Sequence, residues 1–295
     1  MFAKLLSILS VRYVMTPQRH YILYDEEPRA NLDWQCACLL ATCVPVTLRS
    51  EIFGHTLDAA VDEKDRYASD KRNRCANSQL DLLRLETLMN DAGGFFLDLD
   101  VYVLKSLDEW RTRCGGHEAV FGRDAPSGER EKSSTAPVEL RRLNPGVLLA
   151  PPKSQFLSRW SEAYRRYDPE RFDFNGQCNV TSALAAEGNA VKPAMVHGAS
   201  ELGPLPRYSS RALYDAHLAQ APIAHLSAFR HAWRLKDIMN ARLLETIWRR
   251  VSKVINETAA KDDMIRTNPL LQQCMSQIGG ACWAKPGGRC GIYGA

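Results

Sequence analysis

LDLLRLETLMNDAGGFFLDLDVYVLKSLD, residues 80–108, is the stretch on which the reading of this chain turns. Leucines crowd Asn77–Asn90, and Asp91-Ala92-Gly93-Gly94 closes the segment, so a helix ending at the glycines is expected. Asp81 and Arg84 stand three residues apart, which makes them neighbours on one helix face. Phe95–Leu104 (FFLDLDVYVL) then reads as a buried strand. In an extended chain Asp98 and Asp100 share one face, while Leu97, Leu99 and Val101 point into the sheet.

Two carboxylates inside so apolar a run are costly unless something neutralises them. A divalent cation does so, and hard oxygen ligands suit Mn²⁺ or Mg²⁺. An ion only half-coordinated by protein takes its remaining ligands from a substrate, and a diphosphate supplies them. The other reading ends the strand at Asp98 and leaves both acids exposed in a turn.

Outward from this block the chain alternates helix and strand, which favours an α/β layer architecture. Met1–Val14 has the apolar run behind Lys4 of a short signal peptide, but Ser7, Ser10 and Arg12 break that run, and Phe2, Leu5, Leu6, Leu9 and Tyr13 at helical spacing fit an internal amphipathic helix better. His20–Tyr24 reads as a strand, Leu32–Thr42 as a helix, and Val44–Leu48 as a strand weakened by Pro45. Downstream, PSGEREKSSTAP (residues 126–137) has loop composition, and a strand is expected near Gly146–Leu149. Helices are expected over Gln155–Tyr167, from Thr181 to Ala186, and over Leu235–Val254. The last 25 or so residues look irregular.

Composition bounds the function. The chain has 295 residues, 45% hydrophobic and 24% charged, as in an ordinary globular protein. A formal charge of +4, from 38 basic and 34 acidic residues, permits a basic cleft for a diphosphate but does not point to nucleic acid. No run reaches the roughly 18–20 apolar residues of a membrane span. Nine cysteines include no C-x-x-C pair. Cys274, Cys282 and Cys290 crowd the Gly-rich tail, where disulfides suit an oxidising compartment, and the scattered others are expected as thiols. Asn179-Val180-Thr181 and Asn256-Glu257-Thr258 are acceptor sequons that matter only in the secretory pathway.

The block at residues 80–108 closely resembles the D-x-D segment of the glycosyltransferase sugar-binding region family. That family includes the initiation α-1,6-mannosyltransferases and is similar to the α1,4-galactosyl- and N-acetylglucosaminyltransferases. Its members show a helix with S-D-x-x-R, then Y-G-G, then Y-L-D-x-D. Asp81, Arg84, Gly93, Gly94, Asp98 and Asp100 fill those positions, with Leu80 in place of Ser and Phe95-Phe96 in place of an aliphatic residue and Tyr. Further likenesses are LSVRYVMTPQRHYILYDEEP with Trp34, NPGVLLAPPKSQFLSRWSEAY headed by Asn144, FNGQCNVTSALA, and AHLSAFRHAW. Gln177-Cys178-Asn179 stands where relatives often carry His-Ser. The usual opening strand, of the I-P-K-I-I-H type, is missing ahead of Met1.

The resemblance implies a GT-A fold, a Rossmann-like mixed sheet flanked by helices, over residues 1–255, followed by an irregular Cys/Gly tail over 256–295. It implies a retaining sugar transfer from a nucleotide-sugar donor, a UDP-sugar or GDP-mannose, to a glycan, glycolipid or glycoprotein acceptor. Asp100 would ligate the ion, Asp98 would bind donor hydroxyls or the ion through water, and Asp81 and Arg84 would hold donor sugar and phosphate. His225, with His231 as second choice, would be a third metal ligand, and Asn144 and Trp233 would line the donor pocket. Golgi residence follows from the same likeness, with any membrane association coming from a segment absent here. Two other readings compete. One is a degenerate, non-catalytic nucleotide-sugar binder. The other is a phosphohydrolase of the haloacid dehalogenase type, whose nucleophile motif Asp98-Leu99-Asp100-Val101 imitates and whose scheme leaves Asp81 and Arg84 without a role.

Overall fold

A computed structural model describes residues 2–28, 30–49, 51–56, 68–90, 93–108, 119–123, 143–167, 223–225, 238–259 and 261–280. They form a mixed α/β protein with small sheets. The chain divides into two compact units, each built from separated segments: Met1–Val46, Leu99–Asp108 and Pro204–Ala295 in the first, Thr47–Asp98 and Glu109–Gly203 in the second.

In the first unit, helix α1 (Phe2–Ser10) continues into a single wide turn at Val11–Met15. Strand β1 (Tyr21–Tyr24), helix α2 (Leu32–Leu40) and strand β2 (Thr42–Pro45) then make a β-α-β unit with parallel strands, register Tyr21 to Thr42. Asn31 caps α2 by accepting from the Trp34 amide at 2.9 Å. Pro45 ends β2, where its missing N–H costs little.

Helix α1 is not amphipathic in its setting. Every residue from Leu5 to Val11 is buried, so the helix is enclosed on all sides. Its two buried serines have backbone partners: Ser7 Oγ donates to the Val101 carbonyl at 2.6 Å, and Ser10 Oγ accepts from the Val103 amide at 2.9 Å. Two hydroxyls thus satisfy the free edge of the strand that carries Val101 and Val103, as a neighbouring strand otherwise does.

The second unit holds the hairpin β3 (Glu51–Ile52) and β4 (His55–Thr56), the long helix α3 (Ala68–Asn90) and strand β5 (Gly94–Leu97). Helix α3 begins well ahead of the expected Asn77, because the polar residues before it carry no apolar period to mark a start. Strand β5 pairs antiparallel with β8 (Leu143–Ala150), which also pairs with β7 (Val120–Arg123). Helix α4 (Gln155–Ala163) follows, capped by the Ser154 hydroxyl and ending in a tighter turn at Tyr164–Arg166. Leu82, Leu85 and Leu88 of α3 meet Phe156, Leu157, Trp160 and Tyr164 in the core of this unit. Only glycine fits at position 93. Its φ is +70°, and an added Cβ would lie 2.6 Å from the Ala150 carbonyl oxygen.

The expected single strand Phe95–Leu104 is two. Strand β5 stops at Leu97, a turn occupies Leu99–Asp100, and β6 (Val101–Val103) pairs in the first unit with β9 (Ile223–His225). Turning there keeps two acids, Asp98 and Asp100, out of the interior of a buried ladder.

The expected irregular tail is helical as far as Gly280. Helix α5 (Ile238–Ala259) runs past the predicted end, and α6 (Asp263–Thr267) and α7 (Pro269–Gly280) follow it. Asp262 caps α6, and Asn268 accepts from the first amides of α7, so short polar residues start both helices. Cys274 of α7 is bonded to Cys36 of α2, and Cys38 to Cys43. The first three cysteines are therefore not the free thiols expected. Cys282 and Cys290, PSGEREKSSTAP, the segment Thr181–Ala186 and Gln177-Cys178-Asn179 lie outside the described residues. Among the described residues, no helix is long and apolar enough to cross a membrane.

Candidate functional site

In the second unit the sequence-predicted helix pair meets the first acid of the D-x-D segment. Helix α3 turns Leu82, Leu85 and Leu88 to the core, and the spacing that buries them carries Asp81 and Arg84 inward as well. Both are 6% exposed. The Arg84 guanidinium bonds the Asp81 carboxylate through Nη1 and reaches Asp98 Oδ1 through Nη2 at 2.5 Å. It lies over the Phe96 ring, 5.5 Å from the centroid, so β5 supplies both a charged and an aromatic partner. The glycine turn lets β5 return against the end of α3, and the Asp98 amide donates to the Gly146 carbonyl at 2.9 Å, pinning the acid to the last rung of the ladder.

A fourth residue joins from α4's end. Tyr164, fully buried, donates its hydroxyl to Asp81 Oδ2 at 3.3 Å. The sequence offers no sign of this contact, since the two lie 83 positions apart and Tyr164 reads as an ordinary core aromatic.

Burial pushes the Asp81 carboxyl up to about 6, against the lowering pull of Arg84 and with a further push from the Asp98 charge. For Arg84, burial opposes the charge, but Asp98 and Asp81 outweigh it and hold the guanidinium protonated. Burial and the Asp81 charge raise the Tyr164 phenol well above its ordinary value, so it stays a donor. With all groups ionised, two carboxylates face one guanidinium. Such a set accepts hydrogen bonds from hydroxyl groups through the acids and donates through the guanidinium, which suits a polyol. Asp98 is the member nearest solvent, with its side chain 32% exposed.

In the first unit Asp100 closes the turn ahead of β6 and is half-buried. The β6–β9 register sets Val101 opposite His225, so the backbone of the expected third ligand runs beside the residue that follows Asp100. Tyr102, buried between, has no hydrogen-bond partner for its hydroxyl among the described residues. Burial, then the Asp100 charge, raises its phenol above the ordinary range.

Asn144 lies on β8, with Gly122 opposite it in the ladder. The side chains of Asn144 and His225, and all of His231 and Trp233, are outside the described residues. Among the described residues, no group of three or more His, Cys, Asp or Glu side chains is placed to hold a metal ion. No protein-family model matches this chain, and no curated protein sequence matches it.

Proposed function

We propose that this chain is a metal-dependent retaining glycosyltransferase of GT-A fold that moves a sugar from a UDP-sugar or GDP-mannose to a glycan, glycolipid or glycoprotein acceptor. The observation that carries the reading is the Asp81–Arg84–Asp98 set, buried on α3 and tied to the end of β5. A buried ion set of this kind adds little to stability by itself, which supports a binding role. The haloacid dehalogenase scheme gives Asp81 and Arg84 no task, and here Arg84 is bonded to the residue that scheme needs as nucleophile.

In this reading Asp98, Asp81 and Arg84 hold donor-sugar hydroxyls, with Arg84 also drawing the diphosphate by charge. Asn144 and Trp233 line the donor pocket. By ligand type, aspartate oxygens suit a hard divalent cation. Asp100 would hold Mn²⁺ or Mg²⁺ directly, Asp98 would reach it through water, and His225 is the third candidate. When bound, the ion offsets charge building on the leaving nucleoside diphosphate. Disulfides at Cys36–Cys274 and Cys38–Cys43 suit the oxidising lumen of the secretory pathway, including the Golgi.

Release of free nucleoside diphosphate from a panel of UDP- and GDP-sugars, with Mn²⁺ or with EDTA, tests the proposal. Turnover of one donor that needs the metal, and that falls at least about 100-fold in Asp100→Asn, is the expected result. Tight donor binding without turnover would instead mark a non-catalytic binder.

A further inference from the structure

We infer that Tyr164 is a positioning residue of this site, holding the Asp81 carboxylate in the orientation in which it meets the donor sugar. The inference rests on the transferase reading. A phenylalanine would fill the same volume beside Tyr167, whose ring stacks at 6.3 Å. The hydroxyl is therefore not needed for packing, and burying it is unfavourable without a partner. Its partner is the Asp81 carboxylate. Arg84 takes Oδ1 and Tyr164 takes Oδ2, so rotation of the carboxylate about its last bond is blocked from both sides. Arg84 in turn grips Asp98. The order Tyr164, Asp81, Arg84, Asp98 thus runs from a fully buried ring to a partly exposed acid, and a loose Asp81 would loosen everything outward of it. Helix α4, packed on α3 through Phe156, Leu157 and Trp160, sets where the phenol sits.

The test separates sugar from nucleotide. Binding of UDP-glucose, UDP-galactose and GDP-mannose, and of UDP and GDP alone, is measured by calorimetry in Mn²⁺ for wild type, Tyr164→Phe, Asp81→Asn and the double variant. Thermal unfolding checks that each is folded. Tyr164→Phe is expected to weaken the accepted sugar nucleotide about tenfold while leaving its nucleoside diphosphate unchanged. Asp81→Asn should show the same sugar-selective loss, and the double variant should be no worse than Asp81→Asn. An equal loss for sugar nucleotide and nucleoside diphosphate, or no loss, overturns the positioning role while the transferase reading stands. A wild type that binds none of the sugar nucleotides overturns that reading and the positioning role with it.

Discussion

Two sets of buried polar groups, one in each unit, solve the same problem in opposite ways. In the first unit Ser7 and Ser10 are neutral, and each hydroxyl meets a backbone group of β6. In the second unit Asp81, Arg84 and Asp98 are charged, with two acids sharing one base and Tyr164 completing the inner acid. The serine set is inexpensive to desolvate and finishes a strand edge, which is a structural task. The ionic set is expensive to desolvate and would be replaceable by leucine or methionine if stability were its only purpose. The contrast is between a neutral polar set that completes a strand edge and a charged set whose burial stability alone does not account for.

The hardest blow to this contrast would fall on Arg84. Arg84→Met leaves two carboxylates facing each other with no counter-charge, and a loss of about 3–5 kcal/mol in denaturant unfolding is expected. A loss below about 1 kcal/mol would mean that the acids were never held by the guanidinium, and the two sets would be energetically alike.

Acidity sharpens the comparison next. The folded-state value for Asp81, about 6, lies above its ordinary 3.8, so the folded protein binds this proton more tightly than the unfolded chain. That contribution is fully present below about pH 4 and is lost as the pH rises through 6, by roughly 1–3 kcal/mol. Denaturant unfolding of wild type against Asp81→Asn across pH 4–7 isolates it, because the Asn variant lacks this slope. The serine set has no group that titrates there.

The smallest effect is expected at Ser7. Ser7→Ala removes the donor to the Val101 carbonyl and should cost about 1 kcal/mol, with no dependence on pH over the same range. A cost several times larger would show that α1 is as strained to replace as the ionic set, which would weaken the distinction.

Legibility in the sequence followed distance along the chain. The order strand, helix, strand over Tyr21–Pro45 was readable because periodicity acts locally, although the second strand begins at Thr42 and ends at Pro45 rather than running over Val44–Leu48. Asp81 and Arg84 were readable as a pair because a helix sets residues three apart side by side. The glycine turn was readable too, and Gly93 proves intolerant of any Cβ. By contrast, the break at Leu99–Asp100 lies nearer the second of the two readings, a strand ending at Asp98, than the favoured continuous strand. Alternation looks the same whether β5 and β6 share a sheet or pair with different partners, here β8 and β9. The contacts of the α1 serines were not readable because their acceptor and donor lie more than 90 positions away.

What the sequence alone determined is therefore local: an α/β chain, the helix face carrying Asp81 and Arg84, the glycine turn, and the two acids that follow it. Tertiary structure decided which of these groups meet. It joined Arg84 to Asp98, brought Tyr164 to Asp81 and bonded Cys36 to Cys274 across 238 positions. Backbone geometry acts over a few residues and leaves its mark in spacing. Contacts between distant residues arise only when apolar faces close on one another, and a single sequence carries no record of which faces those are.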